Sequence, residues 1–223
     1  MGKKYEEAKK LIDNKKIYKL IEAIELAKKT SVTKFDSSIE IAIKLNLDTT
    51  KAEQQLRGNI SLPYYFGKKT RVLVIDDTLT TEKAKEANIT LYGGSEKIAE
   101  IKEGWLDFDV IITTPKFMVE LSKLGKLLGP KGLMPNPKLG NVTVNTQKTA
   151  IEFMRGKTQY KTDSYGNIHM MVGKASSKTE EILANINAIL DLISSKRPST
   201  VKGEYIQGIH LCSSMGPSIK TSR

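Results

Sequence analysis

The chain has 223 residues, 39% apolar and 27% charged, enough for one large domain or two smaller ones whose cores need no staples. Its formal net charge is +11 and it holds a single cysteine, Cys212, so an internal disulfide framework and a cysteine zinc site are both excluded. No run approaches the ~18 consecutive apolar residues of a membrane span, and no apolar signal core follows the basic start, so neither a membrane partner nor secretion is expected.

Residues 2–30 read as helical. Ile17, Leu20, Ile21, Ile24 and Ala27 recur at the spacing of one helix face. The period then changes to two. In SSIEIAIKLNLD, Ile39, Ile41, Ile43, Leu45 and Leu47 face one way and Ser38, Glu40, Ala42, Lys44 and Asn46 the other, which predicts a strand with one buried face and one small, polar face. A second strand is expected over Gly58–Leu62, stopped by Pro63.

After FGKK the texture changes. RVLVIDD, ITLY, DVIITTP and NVTV predict strands, and TTEKAKEAN, SEKIAEIKEGW, a segment opened by Pro115 and a segment ending at Arg155 predict helices. Alternation at this spacing implies a parallel sheet covered by helices. The texture then reverts. TQYKT and NIHMMV flank DSYG as a hairpin, and SKTE (Ser177–Glu180) reads as a capping box. It opens a helix striped by Ile182, Leu183, Ile186, Ile189, Leu190 and Ile193. A last strand is expected from Glu204 to Leu211.

The economical reading is α/β plus α+β: a split α+β domain, residues 1–67 and 158–223, with an inserted Rossmann-like parallel α/β domain, residues 68–157. Charge within the insert is uneven. Residues 116–157 hold eight basic and two acidic side chains, and this is the half containing the stiff loop LGKLLGPKGLMPNPKLG. The net charge fits a polyanionic partner and equally a solvated, lysine-biased surface.

Enzyme signatures are weak. VIDDTLT (Val74–Thr80) resembles a phosphatase aspartate motif, but Asp76 and Asp77 are adjacent where that motif separates its aspartates by one residue, and an ordinary strand-end turn is the better reading. YGGSEK (Tyr92–Lys97) puts two glycines before a helix N-terminus, where N–H groups favour anions, yet lacks both phosphate-loop patterns. The two histidines, His169 and His210, lie on different strands without a carboxylate at metal-ligand spacing, so no metal site and no cofactor are expected. The alternative reading keeps a nucleotide-binding or phosphatase-like enzyme built on the insert. In the stiff loop, Lys126, Lys131 and Lys138 stand on a backbone stiffened by Pro130, Pro135 and Pro137. They could touch phosphates or simply be solvated. SSMGPSIK (Ser213–Lys220) ends a strand with small hydroxyls, a methionine and a glycine. It suits the flat minor groove of RNA, or a turn in which Met215 fills core.

KLGKLLGPKGLMPNPKLGNVT resembles the signature segment of the bacterial large-subunit ribosomal protein L-one family. KFDSSIEIAIKL, RGNISLP, YGGSEKI, GWLDFDVIITTP, GNIHMMVGKAS and SSMGPSIK are similar to the same family in the expected order, along nearly the whole chain. The resemblance implies a split RNA-binding domain and an insert without nucleotide. It implies binding to large-subunit rRNA at the mobile stalk near the exit site, help in releasing deacylated exit-site tRNA, and repression of the protein's own operon mRNA through its leader. It also implies a non-catalytic, cytoplasmic protein that is a monomer off the ribosome. Carried over residue by residue, it assigns RNA contacts to Lys34, Phe35, Glu40, His169, Lys174, Ser214, Met215 and Gly216. Lys126, Lys131 and Lys138 become auxiliary contacts. The family usually has threonine at the position of Ser214, so the hydroxyl is kept here.

Overall fold

The computed structural model describes residues 2–222 except 14, 68, 69, 78, 81, 83, 85 and 86, and only the backbone of 52 and 138. It is a mixed α/β structure with several sheets, one of them parallel. Contacts divide it into two compact units, Met1–Phe66 with Tyr160–Arg223, and Gly67–Gln159.

The first unit is built on an antiparallel four-stranded sheet in the order β7-β1-β8-β9, with β1 at Ser38–Leu45, β7 at Asn167–Lys174, β8 at Ile206–Ser213 and β9 at Ile219–Thr221. The predicted alternation is realised: Ile39, Ile41, Ile43 and Leu45 are buried, and Glu40 is exposed. Helices α2 (Leu20–Lys29) and α7 (Thr179–Ser195) cover the apolar face, with Ile24, Ala27, Ile182, Ile186 and Ile189 in one core. The closeness of α7 to the sheet needs a glycine: a Cβ on Gly173 would lie 2.7 Å from Ile182 Cγ1. Buried Asn185 donates to the Val172 carbonyl (2.9 Å) and exchanges bonds with the Tyr64 backbone, tying residue 64 to the helix. Strand β2 (Arg57–Ser61) pairs with β6 (Lys157–Lys161), whose Tyr160 and Lys161 belong to this unit.

Four expectations need correction here. The N-terminal helix is two helices, α1 (Lys3–Lys10) and α2, and Ile17 and Ile21 are exposed rather than buried. The break arises because Tyr18 is drawn out to β9, its N–H donating to the Lys220 carbonyl and its carbonyl accepting from Ser222. The helix α7 begins one residue later than SKTE implies. Ser177 Oγ is taken by the Lys174 N–H, and the Glu181 carboxylate instead accepts the Lys178 N–H. The last strand ends at Ser213, and a short β9 follows the turn. Finally, β6 and β7 meet through a single Thr162–Ile168 bridge, because they serve different sheets.

The second unit holds a parallel sheet, β4-β3-β5, of Leu91–Gly93, Val72–Ile75 and Val110–Thr113. Both faces are covered, which is why its strands read as continuous apolar runs. Leu73, Ile75 and Ile111 pack with Ile98 and Ile101 of α3 (Ser95–Lys102) and with Phe117 and Leu121 of α4 (Pro115–Lys123). Val72, Val74 and Ile112 pack with Ala150 and Phe153 of α6 (Thr146–Met154). NVTV forms only a Thr113–Val142 bridge, not the strand expected. The helix expected in TTEKAKEAN falls partly on residues outside those described. The stiff loop starts with one helical turn, α5 (Gly125–Leu128), and its Leu128 and Pro135 are buried. Among the described residues no helix is long and apolar enough to cross a membrane.

Candidate nucleic-acid interface

The face of the first sheet opposite α2 and α7 carries no helix among the described residues. Register places its side chains in rows across the strands. His169, Ala42, His210 and Lys220 form one row, with Ala42 between the two histidines. Met171, Glu40 and Cys212 form the next. Lys174 and Ser38 form the last, where β1 meets the turn after β8.

That end is closed by a tight set of bonds. The Ser38 N–H donates to Ser214 Oγ (3.1 Å), Ser214 Oγ donates to the Ser38 carbonyl (3.3 Å), and the Ser214 N–H donates to the same carbonyl (2.9 Å). Lys174 Nζ donates to Ser38 Oγ (2.8 Å). The loop before β1 joins here as well. Asp36 accepts from the Ser176 N–H and hydroxyl (3.1 and 2.8 Å), and the Ala175 N–H donates to the Ser37 carbonyl. Lys34 and Phe35 stand at the tip of this loop, with Phe35 62% exposed.

Met215 is 77% exposed, so it does not fill core. Its φ of 61° lies in the left-handed region, where the third residue of such a turn is usually glycine or asparagine. The Gly216 N–H closes the turn on the Ser213 carbonyl (2.8 Å). An exposed methionine held in a costly backbone conformation is a feature of ligand-contact segments. Gly216 is crowded by the protein itself. A Cβ there would lie 2.3 Å from Ser213 Oγ and 3.2 Å from the Thr30 carbonyl, so a side chain meets the protein itself first.

Burial favours the neutral form of two groups of the face. Burial, then Lys220, pushes His210 below its ordinary range. Burial, then the Glu40 carboxylate, pushes the Cys212 thiol up. His169 does have a carboxylate neighbour, which spacing along the chain did not reveal: its Nε2 lies 3.5 Å from Asp163 Oδ2. Desolvation raises the Asp163 pKa, but bonds from the Asn167 N–H and side chain, the Tyr165 N–H and His169 outweigh it and hold it at about 2. Charge on the face therefore comes from Lys44, Lys174 and Lys220 set against Glu40.

The first eight candidate residues thus all lie in the first unit. Lys34, Phe35, Lys174, Ser214, Met215 and Gly216 gather at one end of the open face, Glu40 lies one row in, and His169 lies one row further. Lys126 and Lys131 are exposed in the second unit, and the side chain of Lys138 lies outside those described. Sequence reasoning placed Ser38 on the polar face without naming it a candidate contact, and it missed Asp36 and Met171. The first of these shows only through its bonds to Ser176, the second only through the strand register.

In the second unit both aspartates of VIDDTLT make contacts within the protein. Asp76 is buried and accepts from Thr146 Oγ1 (2.6 Å) in the first turn of α6. Asp77 accepts from Lys116 Nζ (2.6 Å), and its Oδ1 lies where a Cβ on Gly94 would be 2.8 Å away, before α3. The adjacent aspartates diverge, each toward a different helix. Among the described residues no group of three or more His, Cys, Asp or Glu could hold a metal ion.

A profile of the ribosomal protein L1p/L10e family matches residues 27–217. The chain belongs to the ribosomal protein L1p/L10e family. It is 59% identical to the large ribosomal subunit protein uL1 of Mycoplasmoides gallisepticum over 220 residues, covering 99% of this chain and 96% of that one. Identity to the protein of the same name from Mycoplasma genitalium is 56% with the same coverage. With that of Malacoplasma penetrans it is 60% over 208 residues, where the chain spans 62% of the relative's length. The family is structural rather than enzymatic, so the Asp76–Asp77 pair has no catalytic assignment. The matched span includes all eight candidate contacts of the first unit, from Lys34 to Gly216.

Proposed function

We propose that this protein is a structural constituent of the large ribosomal subunit that binds large-subunit rRNA at the mobile stalk through the open face of a split domain. The inserted domain, Rossmann-like in design, adds auxiliary phosphate contacts from Lys126, Lys131 and Lys138. From the stalk the protein assists release of exit-site tRNA, and off the ribosome, as a cytoplasmic monomer, it represses its own operon mRNA by the same face.

One observation carries the reading. Phe35 and Met215, two exposed apolar side chains, project from segments joined at Ser38 and Ser214, beside Lys174. Apolar contacts beside hydroxyls and a lysine suit ribose and base faces flanked by phosphate. Asp76 and Asp77 are engaged by Thr146 and Lys116, an arrangement that disfavours the enzyme alternative.

The test is a gel-shift titration with a stalk rRNA transcript at two salt concentrations, with excess duplex DNA as competitor. Specific binding is expected to survive the DNA, and affinity to fall log-linearly with salt, at a slope of about −0.7 to −0.9 per phosphate contact. Loss of binding to the DNA competitor would favour a general packaging protein instead.

A further inference from the structure

The open face does not end at the cluster around Ser38. At its other end, beyond Lys44, stands the hairpin tip of residues 163–166, and on it Tyr165 is 75% exposed, more than Phe35. We infer that Tyr165 is a second aromatic contact to RNA, stacking on a base at the far end of the same face. This rests on the functional reading above.

The first argument is placement. Lys44 opposes Asn167, and its side chain shares the face of Glu40 and Ala42. Its ammonium donates to the Tyr165 carbonyl, which draws the tip toward this face. From Ser38 to Lys44 the strand rises about 20 Å at ~3.4 Å per residue. Phe35 precedes one end of that rise and Tyr165 stands past the other, with His169 between them. A single-stranded or splayed segment lying along β1 meets an aromatic ring at each end.

The second argument is rigidity. The tip is held from four sides. Asp163 Oδ1 accepts the N–H groups of Tyr165 (2.9 Å) and Asn167 (2.7 Å), and Oδ2 accepts Asn167 Nδ2 (2.8 Å). The Leu45 N–H donates to the Gly166 carbonyl (3.0 Å), and Thr49 Oγ1 donates to the Ser164 carbonyl (2.6 Å). Gly166 takes φ of 78°, which closes the turn. A ring with this exposure gains little for the fold, yet its backbone is fixed before any ligand arrives. Preorganisation lowers the entropic cost of ordering on binding, and base–aromatic stacking tolerates any base.

The experiment uses the full chain and the stalk rRNA transcript, with affinity and thermal midpoint measured on the same samples. Tyr165→Ala is expected to weaken binding at least fivefold, with an unchanged salt slope and an unchanged midpoint. Tyr165→Phe should stay within twofold, because stacking needs the ring and not the hydroxyl. Phe35→Ala is the control for the functional reading. If Tyr165→Ala binds within twofold of the parent while Phe35→Ala is weakened, the tip is outside the footprint and the inference falls alone. If both variants bind like the parent, the open face itself is wrong. Equal losses in Tyr165→Ala and Tyr165→Phe overturn stacking in favour of the hydroxyl.

Discussion

Ser214 and Ser38 are locked together three times over, the Ser214 hydroxyl both accepting the Ser38 N–H and donating to its carbonyl while the Ser214 N–H donates there too. This hydroxyl is thus a structural clasp before it is a ligand group, with one lone pair left to offer. Ser214→Ala removes two of the three bonds. It should lower stability by about 0.5–1.5 kcal/mol per bond lost, and RNA affinity should fall through misplacement of Met215. Ser214→Thr should keep both properties. Urea unfolding alongside gel shifts checks this. A Ser214→Ala protein as stable as the parent would show that the clasp contributes nothing.

Met215 supplies the cleaner probe of binding. Its left-handed backbone costs on the order of 1–3 kcal/mol, and glycine carries no such cost. Met215→Gly should therefore raise the unfolding midpoint or leave it unchanged while weakening stalk-RNA binding. Opposite signs in the two measurements are the signature of a strained contact residue. A variant that gains stability and keeps full affinity would remove Met215 from the interface.

The strand carrying this site was legible in the sequence because Ile39 to Leu45 alternate without a break, and the polar partners Glu40, Ala42 and Lys44 had to share the opposite face. The stripe of α7 was equally plain, with Ile182, Ile186, Ile189, Leu190 and Ile193 all buried. What was hidden depends on partners far along the chain. Tyr18 leaves the helical pattern because β9, some two hundred residues later, takes its N–H. Glu40 sits between Met171 and Cys212 only through the antiparallel register. The crowding of Gly216 against Ser213 and Thr30 is a property of the folded turn, and no local pattern encodes it.

Acid should unpick the hairpin tip. The folded Asp163 pKa is about 2, below its ordinary value of 3.8. A depressed carboxylate stabilises the fold above its unfolded pKa, and that contribution is lost as pH falls from about 4 toward 2. Asp163→Asn cannot titrate, so its stability should fall less over this window, though it should be lower at neutral pH because fewer bonds are accepted. Denaturant midpoints for both proteins across pH 5 to 2 provide the comparison, and parallel curves would contradict the assignment.

Gly216 and Ser213 should behave as a coupled pair. A Cβ at 216 would lie 2.3 Å from Ser213 Oγ, and that buried oxygen has no hydrogen-bond partner among the described residues. Ser213→Ala discards an unsatisfied buried polar atom and should be nearly neutral, since an apolar group suits such a position at least as well. Gly216→Ala alone should destabilise, because a steric conflict of this size cannot be absorbed without moving the turn. In the double variant the Oγ is gone, yet the Ser213 and Thr30 carbonyls remain 3.2 Å from the new methyl. The double variant should therefore recover part of the lost stability but not all of it, giving a coupling energy of about 0.5 kcal/mol or more in a double-mutant cycle. Full additivity would mean that the turn yields elsewhere.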